Sequence, residues 1–242
     1  MKNEGVTFIN VDDEKETYHT YDTFSLVLES TDLSFPEAKS ETIDVPGRDG
    51  VIDLTGKLSG EVRFNNRTLT LYLVDLNDRK HYSAMISLLA SFLYGKELKI
   101  ILDKDKSYYY RGRILIDSFK PIGKTNASNI DVYCDVEPFK YSIESTAERW
   151  KWDPFNFYTG VITNYSELGV NGTLTITINA GDKSLSPTFI CSNSMSVELD
   201  GQTFKLQRGS NYNREIILKP KENELTFRGN GTVTIDFCRR SF

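Results

Sequence analysis

The run Val45-Pro46-Gly47-Arg48-Asp49-Gly50-Val51-Ile52-Asp53-Leu54-Thr55 holds two turn-forming dipeptides, Pro46-Gly47 and Asp49-Gly50, in immediate succession. The backbone must therefore reverse or kink twice within a few residues. Arg48 is the lone long cation between them and belongs on the tip of the turn. Gly47 and Gly50 are expected in conformations that a β-branched residue reaches only with strain of about 1–3 kcal/mol. Upstream, Glu41 to Val45 reads as an extended stretch. Downstream a strand begins at Arg67, with Leu69, Leu71 and Leu73 on one face and Thr68, Thr70 and Tyr72 on the other.

Around this loop the first half reads as strands wrapped around one α-helix. Phe24-Ser25-Leu26-Val27-Leu28 reads as a short strand with Phe24, Leu26 and Leu28 sharing a face. The helix is expected at about 78–94. Asn77 or Asp78 can cap it, Tyr82, Met85, Ile86, Leu89, Phe92 and Leu93 form an apolar stripe, and Gly95 ends it. A hairpin follows, Leu98–Leu102 joined through Asp103–Lys106 to Tyr108–Phe119, and then a strand from Ile130 to Val136 that Pro138 brings to an end. The Asp-x-Asp of the hairpin loop lacks the glycine and distal glutamate of a calcium loop, so no metal is expected there.

The last part reads as all-β. Short strands are expected at Thr173–Ile178, Val197–Leu199, Glu215–Leu218, Glu224–Phe227 and Val233–Phe237, separated by turn signals at Asn171-Gly172, Asp200-Gly201, Lys219-Pro220 and Asn230-Gly231. Short strands with frequent turns make a β-sandwich. Between the halves, Trp150 and Trp152 stand in a polar stretch. Either they pin a linker against a neighbouring domain, the favoured reading, or they form a platform for sugar.

Composition narrows the chemistry. The net charge is −5, with 18 Lys and Arg against 24 Asp and Glu in residues 1–147, and 11 against 10 in the remainder. An acidic first part argues against gripping nucleic acid. It reads as ordinary solubilising charge, or as an acidic wall past which DNA slides. No run approaches the roughly 18 apolar residues of a membrane span, and the polar start Met1-Lys2-Asn3-Glu4-Gly5 lacks a signal peptide's apolar core. Cys134, Cys191 and Cys238 are far apart, and His19 and His81 are the only histidines, so a zinc site lacks ligands and structural thiols are expected. There is no nucleophile elbow, phosphate loop or metalloprotease motif. Paired carboxylates such as Asp49 and Asp53 remain the only catalytic currency, and both also sit naturally in turns. No catalytic residue, cofactor or metal is assigned.

The Pro46-Gly47-Arg48-Asp49-Gly50 loop ahead of an Arg67-Thr68-Leu69 strand resembles the distal tail (Dit) proteins of long-tailed, siphovirus-type bacteriophages. Two further stretches carry the resemblance. The Ile130–Val136 strand runs into Pro138 and Phe139, as the first domain of that family closes. Pro220-Lys221-Glu222-Asn223 resembles the Pro-x-Glu-Asn turn of the family's second domain, with Lys221 where glycine is common. The N-terminus departs, having Phe8-Ile9-Asn10-Val11 where the family shows an Asn-Gly turn. The resemblance implies a mainly β chain. Residues 1–145 would be a ring-forming, β-sandwich-like domain, 146–172 a boundary region, and 173–242 a galectin-like or carbohydrate-binding-module-like sandwich that could start near 150. It implies a non-enzymatic tail-tip hub, made in the bacterial cytoplasm and placed in the virion. A homo-hexameric ring would join the tail tube protein to tail-tip and receptor-binding proteins, with Pro46 to Gly50 at the interface. The alternative is an adsorption protein whose second domain touches host glycan through Trp150, Trp152 or Tyr212.

Overall fold

The computed structural model describes residues 4–57, 60–75, 82–121, 128–143, 145–147 and 165–242. The chain is mainly β and divides into two compact units, Met1–Lys140 and Tyr141–Phe242.

The first unit contains β1 (Val6–Asn10), β2 (Thr17–His19), α1 (Thr20–Phe24), β3 (Leu26–Leu33), β4 (Thr42–Asp44), β5 (Val51–Asp53), β6 (Arg67–Asp75), α2 (Tyr82–Leu93), β7 (Glu97–Leu102), β8 (Tyr108–Pro121) and β9 (Ser128–Val136). A short strand, β10 (Lys140–Ser142), lies at the division point. The main sheet is antiparallel in the order β2-β1-β7-β8-β9-β6-β3. β6 and β9 pair along their whole lengths, from Arg67 opposite Val136 to Asp75 opposite Ser128. The sheet curls enough for Leu28 N–H of β3 to reach Glu4 O, just ahead of β1, at 3.3 Å.

Period-two alternation fills the inside of this curl with Val6, Phe8, Leu26, Leu28, Leu69, Leu71, Leu73, Leu98, Ile100, Ile130, Val132 and Cys134. Each large apolar side chain removed from water contributes about 1.5–3 kcal/mol. Leu89 and Leu93 of α2 close the core, with Met85 and Phe92 half-buried beside them, as the apolar stripe requires. The expected caps Asn77 and Asp78 lie outside the described residues. Thr70, expected to face outward, is buried. Cys134 is wholly buried, and desolvation pushes its thiol far above the usual value.

The expected strand at Phe24–Leu28 is corrected. Phe24 ends a second, five-residue helix, α1, and the strand begins only at Leu26. His19 caps α1 reciprocally: its Nδ1 accepts from Asp22 N–H at 3.2 Å, and its own N–H donates to Thr23 Oγ1 at 3.1 Å. Ser25 ends the helix in the left-handed region (φ 57°), which lets Phe24 still enter the core against Tyr18 and Phe92.

The second unit contains β11 (Leu168–Asn179), β12 (Thr188–Cys191), β13 (Met195–Leu199), β14 (Gln202–Leu206), β15 (Gly209–Tyr212), β16 (Glu222–Asp236) and β17 (Arg240–Ser241). β16 is the spine of the order β14-β13-β16-β12-β15, with β11 along its other side. β11 and β16 pair from Leu168 opposite Val233 to Asn179 opposite Glu222. On the far side β16 pairs first with β13 and then with β12.

The change of partner falls at Gly229 and Gly231, whose φ values are 150° and 141°. A side chain at Gly229 would stand 2.7 Å from Met195 Cβ. Asn171-Gly172 and Asn230-Gly231 are therefore not turns. They face each other in the middle of one long strand pair, where Asn230 Oδ1 accepts from Gly172 N–H at 3.1 Å. The separate strands expected at Glu224–Phe227 and Val233–Phe237 are one strand, and the one expected from Thr173 starts at Leu168.

Glu215–Leu218 is not a strand either. Asn213 Oδ1 accepts from Glu215 N–H in a turn, and only Leu218 bridges, to Leu185. Asp200-Gly201 does make the expected hairpin turn between β13 and β14, both residues having positive φ.

Residues ahead of β11 are part of this unit. Thr146 Oγ1 donates to Ile235 O at 2.8 Å and accepts from Phe237 N–H at 3.0 Å, and Tyr165 is buried in the core.

Candidate functional site

Beyond Leu33 the β3–β6 pair does not end; it narrows into a two-stranded arm. Ser34 N–H donates to Thr68 O, Asn65 N–H to Glu37 O and Lys39 N–H to Arg63 O, and Ala38 bridges Phe64. β4 and β5 then pair through Thr42–Asp53, Ile43–Ile52 and Asp44–Val51. Among the described residues these two strands pair only with each other. Pro46, Gly47, Arg48, Asp49 and Gly50 form the exposed tip.

Arg48 N–H donates to Val45 O at 3.2 Å, and Gly47 and Gly50 have φ values of 83° and 74°. Both glycines thus take a left-handed backbone, one that a β-branched residue reaches only with strain, and it closes this turn. Nothing lies within 4 Å of where a side chain on either glycine would start. Each is thus required for its conformation and not for space.

The arm's surface is unlike that of the sheet that bears it. Phe35 is 86 % exposed, Val51 56 % and Ile43 50 %. An ordered ribbon with its apolar side chains in water bears an entropy cost of about 1–2 kcal/mol per residue with little burial to offset it. Its root is firmer. Phe64 meets Phe139 edge-on, with ring centroids 5.8 Å apart. Arg67, at the start of β6, is buried with its guanidinium 5.4 Å from the Tyr110 ring centre. Burial lowers the Arg67 pKa, with Tyr110 working against it.

The carboxylates on the arm are ordinary turn groups. Asp53 Oδ1 accepts from Thr55 N–H at 2.8 Å, and hydrogen bonds from the Thr55 side chain and backbone hold Asp53 below the usual carboxylate range. Asp49 is exposed at the tip.

The Asp-x-Asp loop is occupied by protein cations. Asp105 accepts from Lys140 Nζ at 3.0 Å, and Asp103 accepts from Gly5 N–H at 2.9 Å and lies 3.1 Å from His19 Nε2. Burial works to raise the Asp103 pKa, but the hydrogen bonds from His19, Lys106 and Gly5 outweigh it and lower the value. Among the described residues no group of three His, Cys, Asp or Glu is placed to hold a metal ion. No described helix is long and apolar enough to cross a membrane.

Of the expected sugar contacts, Trp150 and Trp152 lie outside the described residues. Tyr212 is 61 % exposed on the edge strand β15, opposite Thr188 of β12. The loop leading into β15 is clasped by Asn211, whose Oδ1 accepts from Gln207 N–H while its Nδ2 donates to Gln207 O and Gly209 O. Asn223 clasps the Lys219–Asn223 loop in the same way. There Lys221 takes the left-handed conformation (φ 68°) that glycine would adopt freely.

The sequence located the arm's tip but not the arm. Its signal is present in the apolar residues of Thr42-Ile43-Asp44 and Val51-Ile52-Asp53 flanking the turn, which are too few for periodicity to announce a ribbon.

The fold is similar to that of the Dit protein (gp 19.1) of SPP1, a crystal structure described as a paradigm of the hub adsorption apparatus in phages that infect Gram-positive hosts. The likeness covers 98 % of this chain and 99 % of that one, with a TM-score of 0.60 and 15 % identity. No protein-family model matches this chain, and no curated protein matches it.

Proposed function

We propose that this chain is a structural hub of a phage tail tip: a homo-hexameric ring, built through the first unit, that joins the tail tube to tail-tip and receptor-binding proteins. The observation that carries the reading is the end-to-end likeness of fold to a phage hub protein. The arm gives it a physical means. Phe35, Ile43 and Val51 stand in water on a ribbon that pairs with no other strand among the described residues. Covering each one against a neighbouring subunit would contribute about 1.5–3 kcal/mol. A contact in which one subunit's arm meets a different face of the next is heterologous, and such contacts close into a ring where the rotation between neighbours divides the full turn. The Pro46–Gly50 tip would set the direction of the arm and display Arg48 and Asp49 to the neighbour. The role is one of placement, without chemistry.

Light scattering across a concentration series tests the ring. A mass of six chains at high concentration is expected. A strict monomer at every concentration, and also within assembled tails, would overturn it.

A second reading is favoured by one observation, the exposed ring of Tyr212 on a sheet edge beside Thr188. It makes the second unit a contact for host-surface glycan, and glycan-array binding by the full chain against its Tyr212→Ala variant separates the two.

A further inference from the structure

Four steps in the chain join an aspartate or asparagine to a glycine: Asp49-Gly50, Asn171-Gly172, Asp200-Gly201 and Asn230-Gly231. Such a step can cyclise on itself, because the glycine nitrogen can reach the side-chain carbonyl carbon before it and no Cβ hinders the approach. The fold restrains three of the four. Gly172 N–H donates to Asn230 Oδ1 within the paired strands β11 and β16. That one bond holds both the nitrogen that would attack Asn171 and the carboxamide of Asn230. Asp200 sits in the tight turn closed by the Leu199–Gln202 pair, and its carboxylate lies 2.6 Å from Lys219 Nζ. Asp49-Gly50 is the exception. Both residues are exposed at the tip of the arm, and neither has a hydrogen-bond or ion-pair partner among the described residues. Nothing lies within 4 Å of where a side chain on Gly50 would start. A loop tip without such ties samples other backbone angles at little cost.

We propose that Asp49 is a site of self-modification: in the folded, unassembled chain it converts to isoaspartate through a succinimide with Gly50, and the converted tip no longer serves assembly. The assembly clause rests on the hub reading; the conversion does not. In the first step the Gly50 nitrogen attacks Asp49 Cγ. An N–Cγ bond forms, and the hydroxyl oxygen of the carboxyl group leaves as water with the amide proton. Water then adds to one of the two ring carbonyls. Breaking the N–Cγ bond restores aspartate. Breaking the bond from that nitrogen to the main-chain carbonyl carbon of Asp49 leaves the chain running through Cβ and Cγ, with a free carboxylate on Cα. The backbone is then one carbon longer between Arg48 and Gly50. This turn is fitted to the Asp44–Val51 pair by two left-handed glycines, so the extra carbon displaces Arg48 and the carboxylate from the positions that the tip now gives them.

The test ages the full chain, folded and dilute, in warm near-neutral buffer. Peptide mapping with electron-transfer fragmentation then tells isoaspartate from aspartate at each of the four steps. Asp49 should convert at least about ten-fold faster than the other three, which react only when their strands open. In urea the order should invert. A carboxamide, which releases ammonia, is a better electrophile than an ionised carboxylate, so Asn171 and Asn230 should then lead. No isoaspartate at Asp49 in the folded chain, conversion as fast at any other step, or one order in both states would overturn the proposal. Asp49→Glu keeps the charge but cannot close the five-membered ring, and should give no product at 49. Sedimentation reads the consequence. The aged parent should lose assembly in proportion to its isoaspartate, while aged Asp49→Glu should match its own fresh sample. Equal losses in both, or none in the parent, would overturn the assembly clause. A fresh chain that forms no ring would overturn the hub reading and that clause together, and leave the conversion to be decided by the peptide map.

Discussion

The glycines along the β11–β16 pair should respond to alanine in a graded way that their surroundings dictate. Gly229 has φ 150°, and an added Cβ would stand 2.7 Å from Met195 Cβ and 3.3 Å from its Cα. Strain in a glycine-only region costs about 1–3 kcal/mol, and forcing a methyl into a packed contact about another 1–3. Gly229→Ala should therefore lose about 2–6 kcal/mol, a large part of the 5–15 kcal/mol typical of a whole domain. Gly172 has φ 78° but open space around it, so Gly172→Ala should lose only the left-handed term, about 1–2 kcal/mol. Gly169 has neither constraint. Its alanine variant should gain about 0.4–1 kcal/mol by restricting the unfolded chain. In a unit of this size each kcal/mol shifts Tm by roughly 4–8 °C. Cys191, buried in the second unit, and Cys134, buried in the first, report each unit separately when thiol labelling is followed through a thermal ramp. A Gly229→Ala variant no worse than Gly172→Ala would show that β16 does not pass Met195 as closely as this where it changes partner.

Gly50→Val should strain the arm's tip by about 1–3 kcal/mol and prevent assembly. Arg48→Ala should leave thermal unfolding unchanged and weaken assembly only; sedimentation of both variants beside the parent checks this. Lys221→Gly should stabilise the second unit by about 0.5–1 kcal/mol, since relief of a left-handed lysine exceeds the entropy cost of glycine. Asn223→Ala should destabilise it by about 1.5–4 kcal/mol by stripping three hydrogen bonds from that loop; urea titration measures both. A fragment 141–242 should fold, as judged by dispersed amide resonances, whereas 173–242 should not, because it lacks Thr146, Tyr165 and the first residues of β11.

How much of this the sequence disclosed depends on how local each signal was. β6, β9 and α2 carry alternation or a helical stripe over many residues; burial along β9 alternates throughout and along β6 nearly so, and the α2 stripe buries Leu89 and Leu93. The Asp200-Gly201 turn was legible because two positive φ values in a row are a demand few dipeptides meet. The same logic misled at Asn171-Gly172 and Asn230-Gly231. Their permissive backbone sits inside two long strands, and only the pairing of residues some 60 positions apart distinguishes such an interior position from a reversal. Glu215–Leu218 alternates as a strand should, with Ile216 and Leu218 buried and Ile217 exposed, yet the Asn213 turn takes up its backbone. At the candidate site the tip was readable from two glycines. That it crowns an arm continuing the β3–β6 register was not, because that register is a property of Ser34, Ala38, Phe64 and Thr68 brought together by the fold.

A reconstruction of intact tails by electron microscopy tests the hub reading most directly. The account predicts six copies in one ring between tube and tip, with the Pro46–Gly50 arm of each lying on its neighbour and the second units facing outward. A single copy, or a ring placed anywhere other than between tube and tip, would contradict it.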